Sequence, residues 1–247
     1  MPYFRLNDLD VHYVEHGKGQ PLVLLHGLLG SIESELRRFI PLLSEHYRVI
    51  AVDLRGHGQT GNSGKLSNAL FRDDLIGLFD ALRMESSLVF GYSLGGYVGL
   101  MAGLKRKGSI RALVMHATKM FWDKSSIEAV ISRFDPQTIL AKVPRYAELL
   151  QHVHGQDRWQ ILLSEAAAYM QTEAPLVSPL EEAICADFPV LVSVGDRDEL
   201  VPIDEAARFC HGLPKGELLV MPSTRHAFDS VHEKIFVPAM LDFFKRA

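Results

Sequence analysis

Short apolar runs alternate with helix-like stretches along most of the chain. The runs typical of strands are PLVLL (21–25), RVIAV (48–52), SLVFG (87–91), IRALVMH (110–116), PVLVSVG (189–195) and GELLVM (216–221). They are apolar on both faces, as parallel strands covered by helices are. Helical spacing indicates helices near 33–45, 66–83, 94–106, 203–211 and 232–245. This alternation predicts an α/β fold with a mostly parallel central sheet of about eight strands flanked by helices.

Two segments interrupt the alternation. Residues 3 to 16 alternate loosely around the turn pair Asn7-Asp8, which predicts an antiparallel β-hairpin at the start of the fold. From 119 to 187 no strand-like run occurs, while AVISRF, YAELLQHV and WQILLSEAAAYM carry helical spacing. We therefore expect a helical cap, or lid, at 119–187. It is inserted between the strands near 110–116 and 189–195, and the core consists of residues 1–118 and 188–247.

Bulk composition narrows the class of protein. A chain of 247 residues that is 47% apolar has enough material for one buried core with an insertion. The net charge of −4 provides no basic field, so nucleic acid and anionic membranes are not expected as main partners. The apolar runs are far shorter than the roughly 18 to 20 residues that span a bilayer, which predicts no membrane insertion. A small, mostly uncharged ligand fits these properties better.

The cysteines and the first residues bear on the compartment. Cys185 and Cys210 are too few for a disulfide framework. The stretch MPYFRLNDLD lacks the basic and then apolar pattern of a secretory signal. We therefore expect a cytoplasmic protein.

A serine lies between a predicted strand and a predicted helix. Residues 91–95 read Gly-Tyr-Ser-Leu-Gly, a G-x-S-x-G pattern in the strand-to-helix context that this motif requires. A tight turn there lifts the Oγ of Ser93 above the sheet, and small flanking glycines let strand and helix pass closely. Free N–H groups at the helix start stabilise negative charge beside that oxygen. The pattern predicts a nucleophilic serine, although Gly and Ser are also ordinary turn residues.

A serine hydroxyl needs a base, and the base needs an orienting group. His226 follows the run 216–221, where a strand end would bring it to the same edge of the sheet as Ser93. The run 189–195 leads into three candidate acids: Asp196, Asp198 and Glu199. From position alone these carboxylates compete, and at least two of them belong to a solvated turn.

Five motifs follow one another in a characteristic order. They are HGLLG (26–30), DLRGHG (53–58), GYSLGG (91–96), GDRDELVP (195–202) and RHAF (225–228). In these motifs the chain resembles the α/β-hydrolase superfamily over essentially its whole length. The resemblance implies a catalytic triad of Ser93, Asp198 and His226, with Asp196 as the alternative acid. A nucleophilic serine implies acyl transfer, whereas an aspartate in its place would have implied halide displacement.

The same resemblance indicates where a substrate would bind. It assigns HGLLG to an oxyanion hole whose donors are the backbone N–H groups of Leu28 and Leu94. In the family the inner face of the lid shapes the substrate pocket. The candidate substrate contacts are therefore Tyr92, Leu29, Phe121 and Trp122. Packing inside the core is the alternative role for such residues, as it is for Met120.

Other histidines are weaker candidates for chemistry. His26 is expected to brace its loop, and His57 and Asp53 in DLRGHG are expected to be structural. His152 and His154 have a spacing seen among zinc ligands, but a helix would point their rings apart and no carboxylate or cysteine cluster accompanies them. Phosphate-binding glycine loops are not found in the sequence. We therefore expect neither a metal nor a cofactor.

The residues and the resemblance together predict a serine hydrolase that cleaves a small or medium, mostly apolar carboxylic ester through an acyl-enzyme. Absence of a triple-glycine oxyanion loop argues against large lipid or tertiary-alcohol esters. Family members with the same triad also cleave carbon–carbon bonds, lactones or amides, run lyase chemistry, or serve as ligand receptors with slow turnover. The sequence does not separate these alternatives, and it indicates no protein partner.

Overall fold

The computed structural model describes residues 3–6, 9–61, 64–174 and 183–247, and within them eight strands form one sheet. The strands are β1 (Tyr3–Leu6), β2 (Leu9–His16), β3 (Pro21–Leu25), β4 (Arg48–Val52), β5 (Ser87–Tyr92), β6 (Ile110–His116), β7 (Val190–Gly195) and β8 (Gly216–Met221). Their order in the sheet is β1-β2-β4-β3-β5-β6-β7-β8. The first two strands pair antiparallel, β2 is antiparallel to β4, and all other pairs are parallel. The predicted fold class and the N-terminal hairpin are confirmed, while the turn pair Asn7-Asp8 lies outside the described residues.

Helices follow most strands, as predicted. They are α1 (Ile40–Ser44), α2 (Asn68–Ala81), α3 (Leu94–Lys105), α4 (Lys124–Ile131), α5 (Pro136–Lys142), α6 (Pro144–His154), α7 (Arg158–Thr172), α8 (Ile203–Gly212) and α9 (Glu233–Arg246).

The single helix predicted over 33–45 is wrong. A π-helical turn at Ile32–Leu36 and the short α1 take its place. Pro41 stands in the first turn of α1, and because proline has no N–H it cannot continue a helix from the preceding turn. The chain therefore begins a new helix there.

The alternating residues of the central strands enter two separate cores. On one face of the sheet, Val23 and Val89 pack in a cluster with residues of α2, α3 and α8. On the other face, Leu24 and Phe90 pack with residues of α1 and α9. Burial of both faces explains why these strands appear in the sequence as continuous apolar runs.

Strand β8 departs from this rule. It lies at the end of the sheet, and its Leu218 and Val220 are 41% and 39% exposed. The strand itself is confirmed, but the expectation that it is buried on both faces is wrong, because an edge strand has a neighbour on one side only.

The segment 119–187, called the insertion below, carries α4 to α7 between β6 and β7. Polar contacts attach it to the rest of the chain. At its start, Lys119 Nζ lies 2.7 Å from a carboxylate oxygen of Glu205 on α8. Further along, the Arg158 guanidinium donates to the carbonyl of Gly56 at 3.0 Å. The insertion is thereby held over the carboxyl ends of the parallel strands. Within the described ranges, no helix combines the length and apolar character needed to cross a membrane.

Candidate active site

Ser93 occupies the turn between β5 and α3 in a strained backbone conformation. Its φ is 49° and its ψ is −114°, a region that residues with a side chain rarely adopt. Two hydrogen bonds hold the turn: the Ser93 N–H donates to the His116 carbonyl at 2.8 Å, and the Thr118 hydroxyl donates to the Ser93 carbonyl at 2.9 Å. The turn lines a cavity, and the serine side chain lies at its wall.

The glycines around Ser93 permit this geometry. A Cβ at Gly91 would lie 2.2 Å from the backbone of Gly95 and Gly96. A Cβ at Gly95 would lie 2.4 Å from the carbonyl oxygen of Leu25. Only residues without a side chain let α3 pass so close to β5 and β3, as expected from the G-x-S-x-G pattern.

His226 lies between the serine and an acid. Its Nε2 is 3.5 Å from Ser93 Oγ, and its Nδ1 is 3.0 and 3.1 Å from the two carboxylate oxygens of Asp198. The serine contact is at the long end of the hydrogen-bond range, which is common in active sites without substrate. Three side chains separated in the sequence thus form a continuous chain of contacts.

The structure distinguishes the three candidate acids geometrically. The Asp198 side chain is fully buried, and its Oδ1 accepts the N–H groups of Leu200 and Val201 at 2.9 and 2.8 Å. The alternative, Asp196, instead accepts the N–H of Thr224 at 3.1 Å, away from the imidazole. Glu199 reaches only the His226 backbone N–H, at 3.4 Å.

Leu28 and Leu94, the predicted oxyanion donors, line the same cavity as Ser93. Leu94 is the first residue of α3, so its N–H lies at the open end of the helix, where backbone donors have no intrahelical acceptor. Leu29 adopts a left-handed φ of 65°, which turns the loop sharply beside the serine. The loop and the helix start therefore border the serine on the same cavity wall.

Two buried histidines fix the loop that contains Leu28. His26 Nε2 accepts the N–H of Leu54 at 2.9 Å and its Nδ1 donates to the Gly27 carbonyl at 2.7 Å, so His26 braces the loop. His154 of α6 donates from Nε2 to the Leu29 carbonyl at 2.9 Å. The insertion therefore contacts the loop that contains Leu28 and Leu29 directly through His154.

His154 also accepts the N–H of Gly58 at 2.9 Å through Nδ1, so both of its ring nitrogens are occupied. Burial lowers its pKa to about 4, and the imidazole is neutral at pH 7. In the sequence, its spacing from His152 resembles that of zinc ligands and does not indicate these hydrogen bonds. His152, two residues earlier, is exposed, so the two rings point apart as expected.

Glu35 is a polar residue of the site that the sequence analysis did not single out. It belongs to the π-helical turn, and its Oε2 accepts the Gly27 N–H at 2.8 Å. Burial raises its pKa to about 8 despite that hydrogen bond. A carboxyl in the turn after HGLLG carries no distinguishing sequence signal, because acidic residues are common in first helical turns.

The cavity over Ser93 has a volume of about 490 Å³. Aromatic and aliphatic side chains form most of its wall, and the insertion supplies many of them, among them Trp122, Val130, Phe134, Tyr146, Leu149, Leu150, Val153, Tyr169 and Met170. Its size suits a small or medium organic molecule.

The predicted substrate contacts separate into two groups. Tyr92, Leu29 and Trp122 line the cavity, and the Tyr92 hydroxyl donates to the His226 carbonyl at 2.8 Å. Phe121 lies outside the cavity lining, because its ring packs under the Arg208 guanidinium, 4.3 Å from the ring centre. Met120 is buried in the core. The contacts of Lys119 with Glu205 and of Phe121 with Arg208, both on α8, direct Phe121 away from the serine.

Among the described residues, no group of three His, Cys, Asp or Glu side chains is placed to hold a metal ion. His57 lies near His26 and His154, with ring centres 5.2 and 5.9 Å away. Burial holds the pKa of His57 well below its usual value. Backbone groups occupy both ring nitrogens of His26 and His154 and the Nδ1 of His57, whereas His57 Nε2 is buried without a hydrogen-bond partner among the described residues.

Comparison with known proteins places these features in a family. A family model described as "alpha/beta hydrolase fold" matches residues 20–148, more than half of the chain. The 2-hydroxy-6-oxo-6-(2'-aminophenyl)hexa-2,4-dienoic acid hydrolase of Metapseudomonas resinovorans is 26% identical, over 96% of this chain and 88% of the relative.

Solved structures share the fold. The meta-cleavage product hydrolase of Pseudomonas fluorescens IP01 superposes with a TM-score of 0.81 at 23% identity, covering 96% of this chain and 95% of the other. A thermophilic esterase from Thermogutta terrifontis gives a TM-score of 0.79 at 19% identity, covering 96% and 94%. The chain belongs to the α/β hydrolase fold family, and it is a hydrolase.

Proposed function

We propose that this hydrolase cleaves a small or medium, mostly apolar carboxylic ester through an acyl-enzyme on Ser93. The observation that carries the proposal is the contact chain from Ser93 Oγ through His226 to the buried Asp198, at the wall of a largely apolar cavity. A hydroxyl beside an imidazole whose other nitrogen faces a carboxylate is the arrangement that activates serine for attack on a carbonyl.

The proposed reaction has two halves. In the first, His226 Nε2 takes the proton of Ser93 Oγ as that oxygen attacks the ester carbonyl, and the same proton then passes to the leaving alcohol. Asp198 holds the Nδ1 proton of His226 and stabilises the imidazolium. In the second half, His226 activates a water molecule that releases the acid and restores the serine.

The N–H groups of Leu28 and Leu94 are proposed to bind the oxyanion in both halves. Each such donor contributes about 3 to 4 kcal/mol to lowering the barrier in serine hydrolases. Because the donors belong to the backbone, leucine side chains at both positions are compatible with this role.

The insertion is proposed to act as a lid that selects substrates by size. Its contribution to the cavity is mainly aromatic and aliphatic, which favours an apolar acyl or alcohol group. A cytoplasmic location and a small-molecule substrate are part of the same proposal, supported by the two free thiols Cys185 and Cys210.

The test uses p-nitrophenyl esters of increasing acyl length with purified protein. We expect repeated turnover, with Ser93→Ala reducing kcat by roughly 10⁴-fold or more. The matched control is Ser132→Ala, which removes an exposed hydroxyl on the insertion and leaves kcat unchanged. A single burst of p-nitrophenol with negligible steady-state release would instead indicate the slow-turnover receptor.

A second candidate is hydrolysis of a carbon–carbon bond in a dienoic diketone, the type of compound named for the Metapseudomonas resinovorans relative. One observation favours it. Arg133 lines the cavity, is exposed, and forms no ion pair in the described part of the chain, so it is available to a substrate carboxylate. Loss of dienoate absorbance at a higher kcat/KM than for any ester, and its suppression in Arg133→Gln, would favour this reaction over ester cleavage.

A further inference from the structure

Glu35 is a carboxyl group in the wall of a mostly apolar cavity, and the proposed reaction does not use it. It lines the same cavity as Ser93 and His226. Its Oε2 is occupied by the Gly27 N–H, whereas its Oε1 has no hydrogen-bond partner among the described residues. One oxygen of this carboxyl is therefore available to a ligand.

The position of Glu35 is built into the loop beside the nucleophile. A Cβ at Gly30 would lie 2.2 Å from Oε2 and 2.6 Å from Oε1 of Glu35, so the loop leaves room for this carboxyl. A Cβ at Gly27 would lie 3.4 Å from the Ser93 Cβ. Since Gly27 both donates to Glu35 and borders Ser93, the carboxyl lies close to the reacting centre.

The surroundings favour the protonated form of Glu35. No cation forms an ion pair with it in the described residues. Two phenols sense its charge: after burial, the charge of Glu35 contributes to the raised pKa values of Tyr92 on β5 and Tyr146 on α6. The cavity also contains His226, Lys119, Arg133 and Asp229. With its own pKa raised to about 8, Glu35 is mostly a neutral acid at pH 7. Because the Gly27 N–H occupies Oε2, the proton belongs on Oε1.

We propose that Glu35 is a specificity-determining residue that donates a hydrogen bond from Oε1 to a second acceptor oxygen of the substrate, apart from the scissile carbonyl. The preferred substrates are then mostly apolar esters whose acyl chain carries an ether, keto or amide oxygen. This inference rests on the proposed ester hydrolysis and narrows its substrate class.

The experiment compares p-nitrophenyl hexanoate with a series in which an ether oxygen replaces the methylene at C3, C4 or C5 of the acyl chain in turn. For each ether ester, kcat/KM is divided by the kcat/KM of the hexanoate. This ratio is compared between wild type and variants, so that differences in the intrinsic reactivity of the esters cancel. Glu35→Met removes the donor, Glu35→Gln keeps a neutral donor that does not titrate, and Glu33→Gln changes an exposed acid in the same turn as the control.

We expect one ether position to show a ratio about ten-fold higher in wild type than in Glu35→Met, as one hydrogen bond implies. Glu35→Gln should keep most of this preference, and Glu33→Gln all of it. Above pH 8 the wild-type preference should fall, because an ionised carboxyl no longer donates, while Glu35→Gln keeps it.

Two results would overturn the inference. Equal losses for hexanoate and every ether ester in Glu35→Met would leave Glu35 with only a supporting role under Gly27. A wild-type advantage for an ester bearing an ammonium group instead of the ether would assign Glu35 to cation binding. If wild type hydrolyses none of these esters, the proposed function fails, and dissociation constants of the same esters for Ser93→Ala then test Glu35 separately.

Discussion

The two walls of the cavity are built from different kinds of contact. On the sheet side, Ser93, His226 and Asp198 follow the ends of strands and are held by hydrogen bonds. On the insertion side, helices present rings and aliphatic chains such as Phe134 and Leu150. Hydrogen bonds fix atoms to within tenths of an ångström, whereas apolar packing tolerates changes of similar volume. In the proposed function, the sheet side therefore carries the reacting groups together with Glu35, and the insertion side shapes most of the space that the substrate fills.

The strongest test of this difference is Asp198→Asn. Loss of the carboxylate leaves His226 with an amide that does not stabilise an imidazolium, so we expect kcat to fall about 10⁴-fold with KM little changed. Asp196→Asn, two residues away and bound to Thr224 instead, serves as control and should keep kcat. Steady-state kinetics on a p-nitrophenyl ester measure both. Comparable losses in the two variants would contradict the assignment of the acid.

His154 joins the insertion to the loop beside Ser93 by hydrogen bonds, and its removal should affect stability. His154→Ala leaves the Leu29 carbonyl and the Gly58 N–H without their partner, and each unsatisfied buried group costs about 1 to 3 kcal/mol. We expect the free energy of unfolding at pH 7, measured with urea, to fall by about 2 to 4 kcal/mol.

The matched control for this change is His152→Ala on the exposed face of the same helix, which should have little effect. The pKa of His154 is lowered from 6.5 to about 4 in the folded protein. The folded state therefore binds fewer protons in that window, and the stability contributed by the neutral ring is lost as pH falls from 6.5 to 4. A cost for His154→Ala that is as large at pH 4 as at pH 7 would argue against this account.

Glu35 lies on the sheet side without a cation as ion-pair partner among the described residues. Its ionisation should therefore lower the free energy of unfolding at high pH. Its pKa is raised from 4.5 to about 8 on folding, so the folded state holds the proton more tightly and the free energy of unfolding falls as pH rises between these values. The slope is about 1.4 kcal/mol per pH unit. Glu35→Gln should remove this slope and be the more stable protein at pH 8, whereas Glu33→Gln should retain it. Urea unfolding at pH 5, 6.5 and 8 measures the difference.

Phe134→Ala tests the insertion side of the cavity. Of these variants it should have the smallest effect, a shift in the preferred acyl length. Removing a ring that lines the cavity enlarges the space for the acyl group, so the preferred acyl chain should lengthen and kcat/KM for the longest ester should rise about ten-fold relative to the shortest. The kcat for short esters should be nearly unchanged. Ile161→Ala, at a half-exposed position on α7, is the control. A large loss of kcat for all chain lengths would show that the insertion also positions the reacting groups.

Several elements could be predicted because their signals are local. Continuous apolar runs fixed the central strands, and the spacing of Gly91, Ser93 and Gly95 identified the turn, since its geometry depends on neighbours in the chain. Two predictions were wrong: that both faces of β8 are buried, and that one helix runs without interruption through Pro41. The first depends on the position of a strand in the sheet, which periodicity does not report, and the second shows that one missing N–H outweighs a helical pattern.

The sequence by itself determined the fold class, the order of the strands along the chain and the identity of a serine in a strand-to-helix turn, because these follow from residues close together. The family resemblance favoured Asp198 over Asp196, and the tertiary structure places Asp198 against His226. Only the tertiary structure decided that Phe121 turns away from the cavity and that His154 contacts loops 96 and 125 positions away. It also buried the carboxyl of Glu35, which raises the pKa of that group. These contacts and the pKa of Glu35 depend on burial and on which distant segments of the chain meet in the fold. Local periodicity in the sequence reports neither.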